Sequence, residues 1–203
     1  MANHTFVDLD LAEAKRFSDL AGVRFDIEQA RRFALRLIAV HEPQNVDSDL
    51  SESLTISMIV SYARIFTTGV REKVKGELLD QLSTEEQKLH DLFMHWRDKH
   101  ISHSVNSFEH NQPVARYVAE SVHKDGIAYI GVRSERLVGP SSAEVYGLVS
   151  LLDRFWIKIR AMYEEEHLRL LAIVRARPIA EILRGPSCPR TAGDEPIHKK
   201  RTP

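Results

Sequence analysis

Cysteine is almost missing from this chain: Cys188 is the only one in 203 residues. No intrachain disulfide and no cysteine-based zinc site can form, which fits a reducing compartment. Long hydrophobic runs are missing too. The greasiest stretch, Ile56 to Tyr62, is broken by serines and falls well short of the roughly 20 residues of a membrane helix, so a buried helix and no membrane partner are expected there. Neither charge sign is in excess, since 28 Lys and Arg face 29 Asp and Glu. Without a global basic field, any contact with nucleic acid has to be local. The start, Met1-Ala-Asn-His-Thr followed by Asp8 and Asp10, lacks the basic and apolar segments of a signal peptide, and a cytoplasmic location is expected. No repeat of solenoid length, Gly-rich phosphate loop, nucleophile elbow or aromatic RNA-binding signature is found, which sets aside kinases, α/β-hydrolases and RNA-recognition motifs.

What is present is a globular composition, 43% hydrophobic and 28% charged, in a length that suits one domain. Leu9 to Leu20 reads as a short first helix. Asp26 then reads as the N-cap of a second, carrying Ile27, Ala30, Phe33, Ala34, Leu37 and Ile38 at helical spacing. After Pro43, Ser51 or Ser53 is expected to cap a helix through Leu54, Met58, Ile59, Tyr62, Ile65 and Phe66, with Thr67-Thr68-Gly69 at its end. Ser83 and Glu86 form a capping box ahead of a stripe of Leu89, Leu92, Phe93, Trp96, His100 and His103. Beyond Pro113 the period changes to two, so Val114 to Val122, a Lys124-Asp125-Gly126 turn and Ile127 to Val132 make a β-hairpin. Gly139-Pro140 ends it. Ser141 or Ser142 caps a long last helix reaching about Ala176. The expected fold is therefore all-α, a helical bundle of about four main helices with a β-hairpin inserted before the long last helix. Its core is built by helices 51–66, 83–105 and 141–176. Residues 1–177 form this domain, and 178–203, holding five of the eight prolines, a flexible tail. So long an apolar helix also suggests a homodimer.

Five of the ten histidines, His90, His95, His100, His103 and His110, crowd one short window. Within it stands Trp96-Arg97-Asp98-Lys99-His100-Ile101-Ser102-His103-Ser104. At about 100° per residue, His100 falls about 40° to one side of Trp96 and His103 about 20° to the other, with Arg97 at the edge of the inward stripe. One reading is structural: satisfied histidines at the core edge and an arginine whose head reaches water. The other is a site for cleaving a phosphodiester. Histidine exchanges protons near neutral pH, arginine holds a phosphate through its planar charged fork, and RNA supplies its own 2'-hydroxyl nucleophile. Such chemistry runs on a base and electrostatic stabilisation, without a metal, and leaves a cyclic phosphate.

The segment Arg97-Asp98-Lys99-His100-Ile101-Ser102-His103 resembles the motif of the HEPN superfamily: Arg, a polar Asn, Asp or His, a few residues, then His. With Tyr62-Ala-Arg-Ile-Phe-Thr-Thr-Gly and Leu89-His90-Asp91, the chain looks closest to the abortive-infection-associated members over residues 25–176. Arg and His at this spacing also occur at Arg36 and His41, Arg116 and His123, and Arg160 and His167. Only Arg97 is followed by the required polar residue. The resemblance implies a metal-independent endoribonuclease, a toxin or phage-defence effector, needing no cofactor. It makes His103 the general base or acid, Arg97 the phosphate-stabilising cation, Asp98 the orienting group and His100 an assistant. It further implies an RNA substrate, a homodimer in which two copies of the motif commonly meet, and an antitoxin or regulatory protein partner. Other members lack the activity, so a non-catalytic helical module that dimerises and binds RNA or protein is the second reading.

Two rival features are weighed beside it. His100 and His103, three apart, with His90-Asp91 have a metal-site flavour, but the last helix answers with Glu164-Glu165-Glu166-His167 and no regular ligand pair. That glutamate run is expected to be a solvated face. Arg64, in a mostly apolar helix, is expected to pair with a carboxylate, Asp91 or Asp98.

Overall fold

The computed structural model describes residues 7–9, 11–40, 47–66, 74–98, 109–118, 127–136 and 139–182. A 3-10 turn at Ala12–Ala14 leads into α1 (Lys15–Val40), followed by α2 (Ser48–Arg64), the short α3 (Lys75–Leu79), α4 (Thr84–Trp96), β1 (Glu109–Tyr117), β2 (Ile127–Arg136), α5 (Ser142–Arg175) and the single turn α6 (Ile179–Ile182). The architecture is the expected one, mainly helical with one antiparallel hairpin ahead of the long last helix.

The amino-terminal half departs from the expectation in an instructive way. In place of two helices divided at Asp26 there is one, Lys15–Val40, and Asp26 lies in its interior, 1% exposed. No proline lies between Leu20 and Asp26 and the lone Gly22 is tolerated inside the helix, and the carboxylate has a tertiary partner: Arg64 Nε of α2 lies 3.3 Å from Asp26 Oδ1. Arg64 is thus paired with α1 instead of with Asp91 or Asp98. Asp91 accepts from Gln87 Nε2 at 2.9 Å, and Asp98 from Arg97.

The cap of α2 is also corrected. Asp47, not Ser51 or Ser53, accepts from the backbone N–H of Leu50 at 3.0 Å, the local bond that satisfies an otherwise orphaned donor. The expected end of that helix at 67–69 lies outside the described residues. The Ile56 to Tyr62 stretch is amphipathic, with Met58, Ile59 and Tyr62 in the core while Ile56 and Val60 reach solvent.

The Ser83–Glu86 capping box forms as the sequence indicates, and Ser141, one of the two caps expected for α5, forms a second box with Glu144. Ser83 Oγ accepts from Glu86 N while Glu86 Oε2 accepts from Ser83 N, and Ser141 and Glu144 repeat the exchange at α5. Ahead of Ser141, Gly139 turns the chain with φ +109, a conformation that side chains disfavour.

The core is a layer of α1 packed against both α2 and α5, with α4 closing over it. It joins Leu20, Ile27 and Leu37 of α1 to Met58 and Ile59 of α2, Phe93 and Trp96 of α4, and Leu148, Leu152, Phe155 and Ile159 of α5. Each such burial contributes about 1.5–3 kcal/mol, so the helix that the sequence split at Asp26 is a principal wall of the core. α1 and α5 run antiparallel: Arg31 pairs with Asp153, the Arg24 guanidinium lies 4.5 Å from the Tyr163 ring, and Phe17 stacks on Tyr163. Glu166 is the correction within the glutamate run. It is buried and held by Arg169, while Glu164 pairs on the surface with Arg160.

In the hairpin, Pro113 faces Val132 and Ala115 faces Ile130. The register shifts after Arg116 because β2 carries one extra residue, Ala128, between the partners of Arg116 and Tyr117. Strand β1 begins earlier than the sequence suggested, at Glu109, and tolerates Pro113 because a two-stranded ribbon has only edge strands. The expected Lys124-Asp125-Gly126 turn lies outside the described residues.

Candidate functional site

The candidate site begins where α4 ends. Helix α4 starts at the Ser83 cap and lays His90, Phe93 and Trp96 into the core. His90 marks the inward direction. Its Nδ1 lies 2.8 Å from the Tyr62 hydroxyl of α2, and both side chains are buried. Burial, reinforced by the negative charge of Asp91, pushes the Tyr62 hydroxyl above its ordinary range. Tyr62 therefore stays protonated, and its hydroxyl shares this hydrogen bond with His90 Nδ1. Aromatic edges enclose the pair: the Phe66 ring centroid is 4.7 Å from His90, and Phe93 meets Tyr62 at 5.9 Å.

Seven residues after His90, about two helical turns, comes Arg97. The α-helix passes into a π-type turn over Arg97 and Asp98, an irregularity often found at functional sites. Trp96, 5% exposed, pins this end to the bundle, while the Arg97 side chain is 40% and Asp98 57% exposed. Arg97 Nη1 donates to Asp98 Oδ1 at 2.7 Å. The two residues nominated as cation and orienting group are thus in direct contact, at a helix end facing solvent. A half-exposed pair of neighbours like this adds little to stability, but it holds the planar guanidinium in one orientation.

The other two nominated residues, His100 and His103, lie outside the described residues, as does the stretch of the 83–105 helix beyond Asp98. His90, which the sequence offered as half of a metal dyad with Asp91, instead turns inward to Tyr62 while Asp91 is exposed. Among the described residues no group of three or more His, Cys, Asp or Glu side chains is placed to hold a metal ion. Sequence reasoning missed the Tyr62–His90 bond; the only signal for it was a tyrosine and a histidine on the buried faces of two separate helices.

Two surface grooves are found away from this turn. One lies between α3 and α5 among Leu78, Gln81, Arg154, Phe155 and Lys158, and the other runs along α1 beside Arg32, Leu35 and Arg36. Arg154 is engaged by Glu86 of α4 and the Gln81 carbonyl, so the first groove reads as the seam of three helices. No helix among the described residues is long and apolar enough to cross a membrane.

Set against known proteins, the chain matches no family model, no curated protein and no solved structure.

Proposed function

We propose that this chain is a metal-independent endoribonuclease of the HEPN type, acting as a toxin or phage-defence effector, with RNA as its substrate. Arg97 is the cation that holds the scissile phosphate, His103 is the general base or acid, Asp98 orients one of them, and His100 assists. The observation that carries the reading is the setting of Arg97. It is anchored through Trp96 and the His90–Tyr62 bond, half-exposed on a π-type turn, and braced by the polar residue that follows it.

The chemistry asks little of the protein. The base removes the proton of the 2'-hydroxyl, and the oxygen attacks the adjacent phosphorus. The bond to the 5'-oxygen breaks, and that oxygen takes a proton, leaving a 2',3'-cyclic phosphate and a 5'-hydroxyl. The charge gathered on the non-bridging oxygens suits a guanidinium, whose planar donors match a phosphate in pairs.

A second reading, a non-catalytic module that dimerises and binds RNA or a protein such as an antitoxin, is favoured by one feature: Asp98 already answers the Arg97 charge. Incubating purified full-length protein with total cellular RNA in excess EDTA, beside Arg97→Ala and His103→Ala, separates the two. The proposal expects cleavage with cyclic phosphate ends that both variants lose while staying folded. Intact RNA with a folded wild-type protein would overturn it.

A further inference from the structure

The two faces of the hairpin differ in kind. Residues directly opposite each other in an antiparallel pair share a face, so Pro113, Ala115, Ile130 and Val132 fall on one side and Val114, Arg116, Tyr129, Gly131 and Arg133 on the other. The first set is wholly apolar. The second places two arginines about an aromatic ring.

Tyr129 does not stand away from its strand. A β-carbon at Gly131 would meet Cε1 of the Tyr129 ring at 2.5 Å and Cζ at 2.9 Å, so the ring lies across the glycine, in space that any other residue would fill. One side of the ring rests on backbone and the other looks to solvent, with Tyr129 63% exposed. Among the described residues no second ring and no guanidinium covers it. Arg116 stands directly opposite Tyr129, exposed, and forms no ion pair among the described residues. Arg133 stands two places beyond Gly131 on the same face, with Nη2 3.4 Å from Gln112 Oε1. The acidic position of this face in the register is Glu135, across from His110 and about 20 Å along the strand from Tyr129.

A tyrosine that only shields a glycine needs no cation on either side of it. A ring held flat with one side open is a stacking surface for a nucleobase, since every base has a π-face. Guanidinium groups on both sides of that ring match the phosphates that flank a base in a strand. The wholly apolar face is the one that suits a protein. The face with the ring and the arginines suits a chain of bases whose charge is all of one sign.

We propose that this face of the hairpin is a platform for single-stranded RNA, in which Tyr129 stacks on one base while Arg116 and Arg133 hold phosphates to either side. A duplex does not fit, because its bases are already stacked on one another. No linear signature marks the platform: Arg116 and Tyr129 are 13 residues apart and meet only through strand pairing. The platform shares no residue with the Arg97 turn, and it rests on the proposed function only for the choice of RNA.

One stacked base and two phosphates make a weak site, to be read at low salt. Fluorescence anisotropy of the full-length chain with labelled oligouridine, in excess EDTA and an Arg97→Ala background that keeps the probe whole, tests it. Tyr129→Leu still covers Gly131 but offers no π-face, and should weaken binding by about 5- to 150-fold. Tyr129→Phe should keep the affinity. Arg116→Gln should make the slope of log affinity against log salt shallower by about 0.7, one phosphate on a single strand. Ile130→Thr, next in the chain but 71% exposed on the opposite face, should change neither, and a duplex should compete poorly. Binding indifferent to Tyr129→Leu and Arg116→Gln, lost equally on Ile130→Thr, or matched by the duplex would overturn the platform and leave the hairpin to a protein partner. Cleavage by the wild-type chain alongside any of those results would keep the nuclease and sink the platform. Uncleaved RNA held in a Tyr129-dependent way would do the reverse.

Discussion

The Tyr62 hydroxyl and His90 Nδ1, 2.8 Å apart in the interior, join α2 to α4. Their rings are enclosed by Phe66 and Phe93. Two polar groups in such a setting cost little while paired and much when one is removed, because the survivor keeps its desolvation penalty without its bond.

Tyr62→Phe, which deletes only the hydroxyl, is therefore expected to lower stability by about 1–3 kcal/mol in urea unfolding. His90→Leu strands the hydroxyl and should cost a similar amount. The double variant should lose less than the two losses together, since neither group is left behind. Strict additivity would mean that the bond contributes nothing.

A comparable argument applies where α1 meets α2. Asp26 is 1% exposed and Arg64 54%, so the carboxylate is the desolvated partner and the guanidinium the half-solvated one. Arg64→Met should cost about 1–3 kcal/mol, because the buried Asp26 carboxyl loses the guanidinium beside it. Asp26→Asn in the same chain should return part of that loss. If Asp26→Asn deepens it in urea titrations, the carboxylate is held by something other than Arg64.

These two pairs also mark the boundary of what the sequence reveals. The capping box at Ser83 was legible because both partners lie within three residues, and the long periodicity of α5 because it repeats for more than nine turns. Asp26 was misread because an aspartate between apolar stretches looks the same locally whether it caps a helix or pairs inside one. The deciding group, Arg64, is 38 residues away. Asp47 lost to Ser51 and Ser53 because a polar run offers several caps and only backbone geometry selects one. The short α3 passed unseen because five residues carry no period. At the candidate site, the place of Arg97 at the edge of the inward stripe was readable from the spacing, and an orienting role for Asp98 came only from the family resemblance. The Tyr62 bond that sets the inward face of α4 was not readable, being purely tertiary.

Acid should weaken the protein in a definable way. Glu166 is held below the ordinary glutamate value of 4.5, chiefly by the hydrogen bonds from Arg169 against the opposing cost of burial, and Glu86 is lowered by Arg154 and the Ser83 backbone. A carboxylate whose pKa is depressed on folding binds its proton more readily when unfolded. The stability it lends is then fully present above the ordinary value and lost as the pH falls through the folded value. Urea midpoints should thus be flat above the ordinary glutamate value and fall beneath it. Glu166→Gln should flatten part of that fall while lowering stability at neutral pH. An unchanged acid profile in Glu166→Gln would place the sensitive groups elsewhere.

The most informative substitution at the candidate site is Arg97→Lys. Lysine keeps the positive charge and the reach, but replaces a planar fork of donors with a compact ammonium. If Arg97 acts only as a surface cation, the change should be nearly silent. If it grips two oxygens of a phosphate in the transition state, cleavage should fall by about 10²–10³, the usual cost of removing one such donor. Stability should move by no more than about 0.5 kcal/mol in either case, because Arg97 is half-exposed and its bond to Asp98 joins neighbours on one turn. Measuring cleavage of a short RNA at saturating and limiting concentration separates the roles further. A loss in kcat that matches the loss in kcat/KM marks an interaction made only in the transition state, whereas a loss confined to KM marks simple RNA binding. Arg97→Lys with full kcat would remove Arg97 from the reaction and favour the binding module.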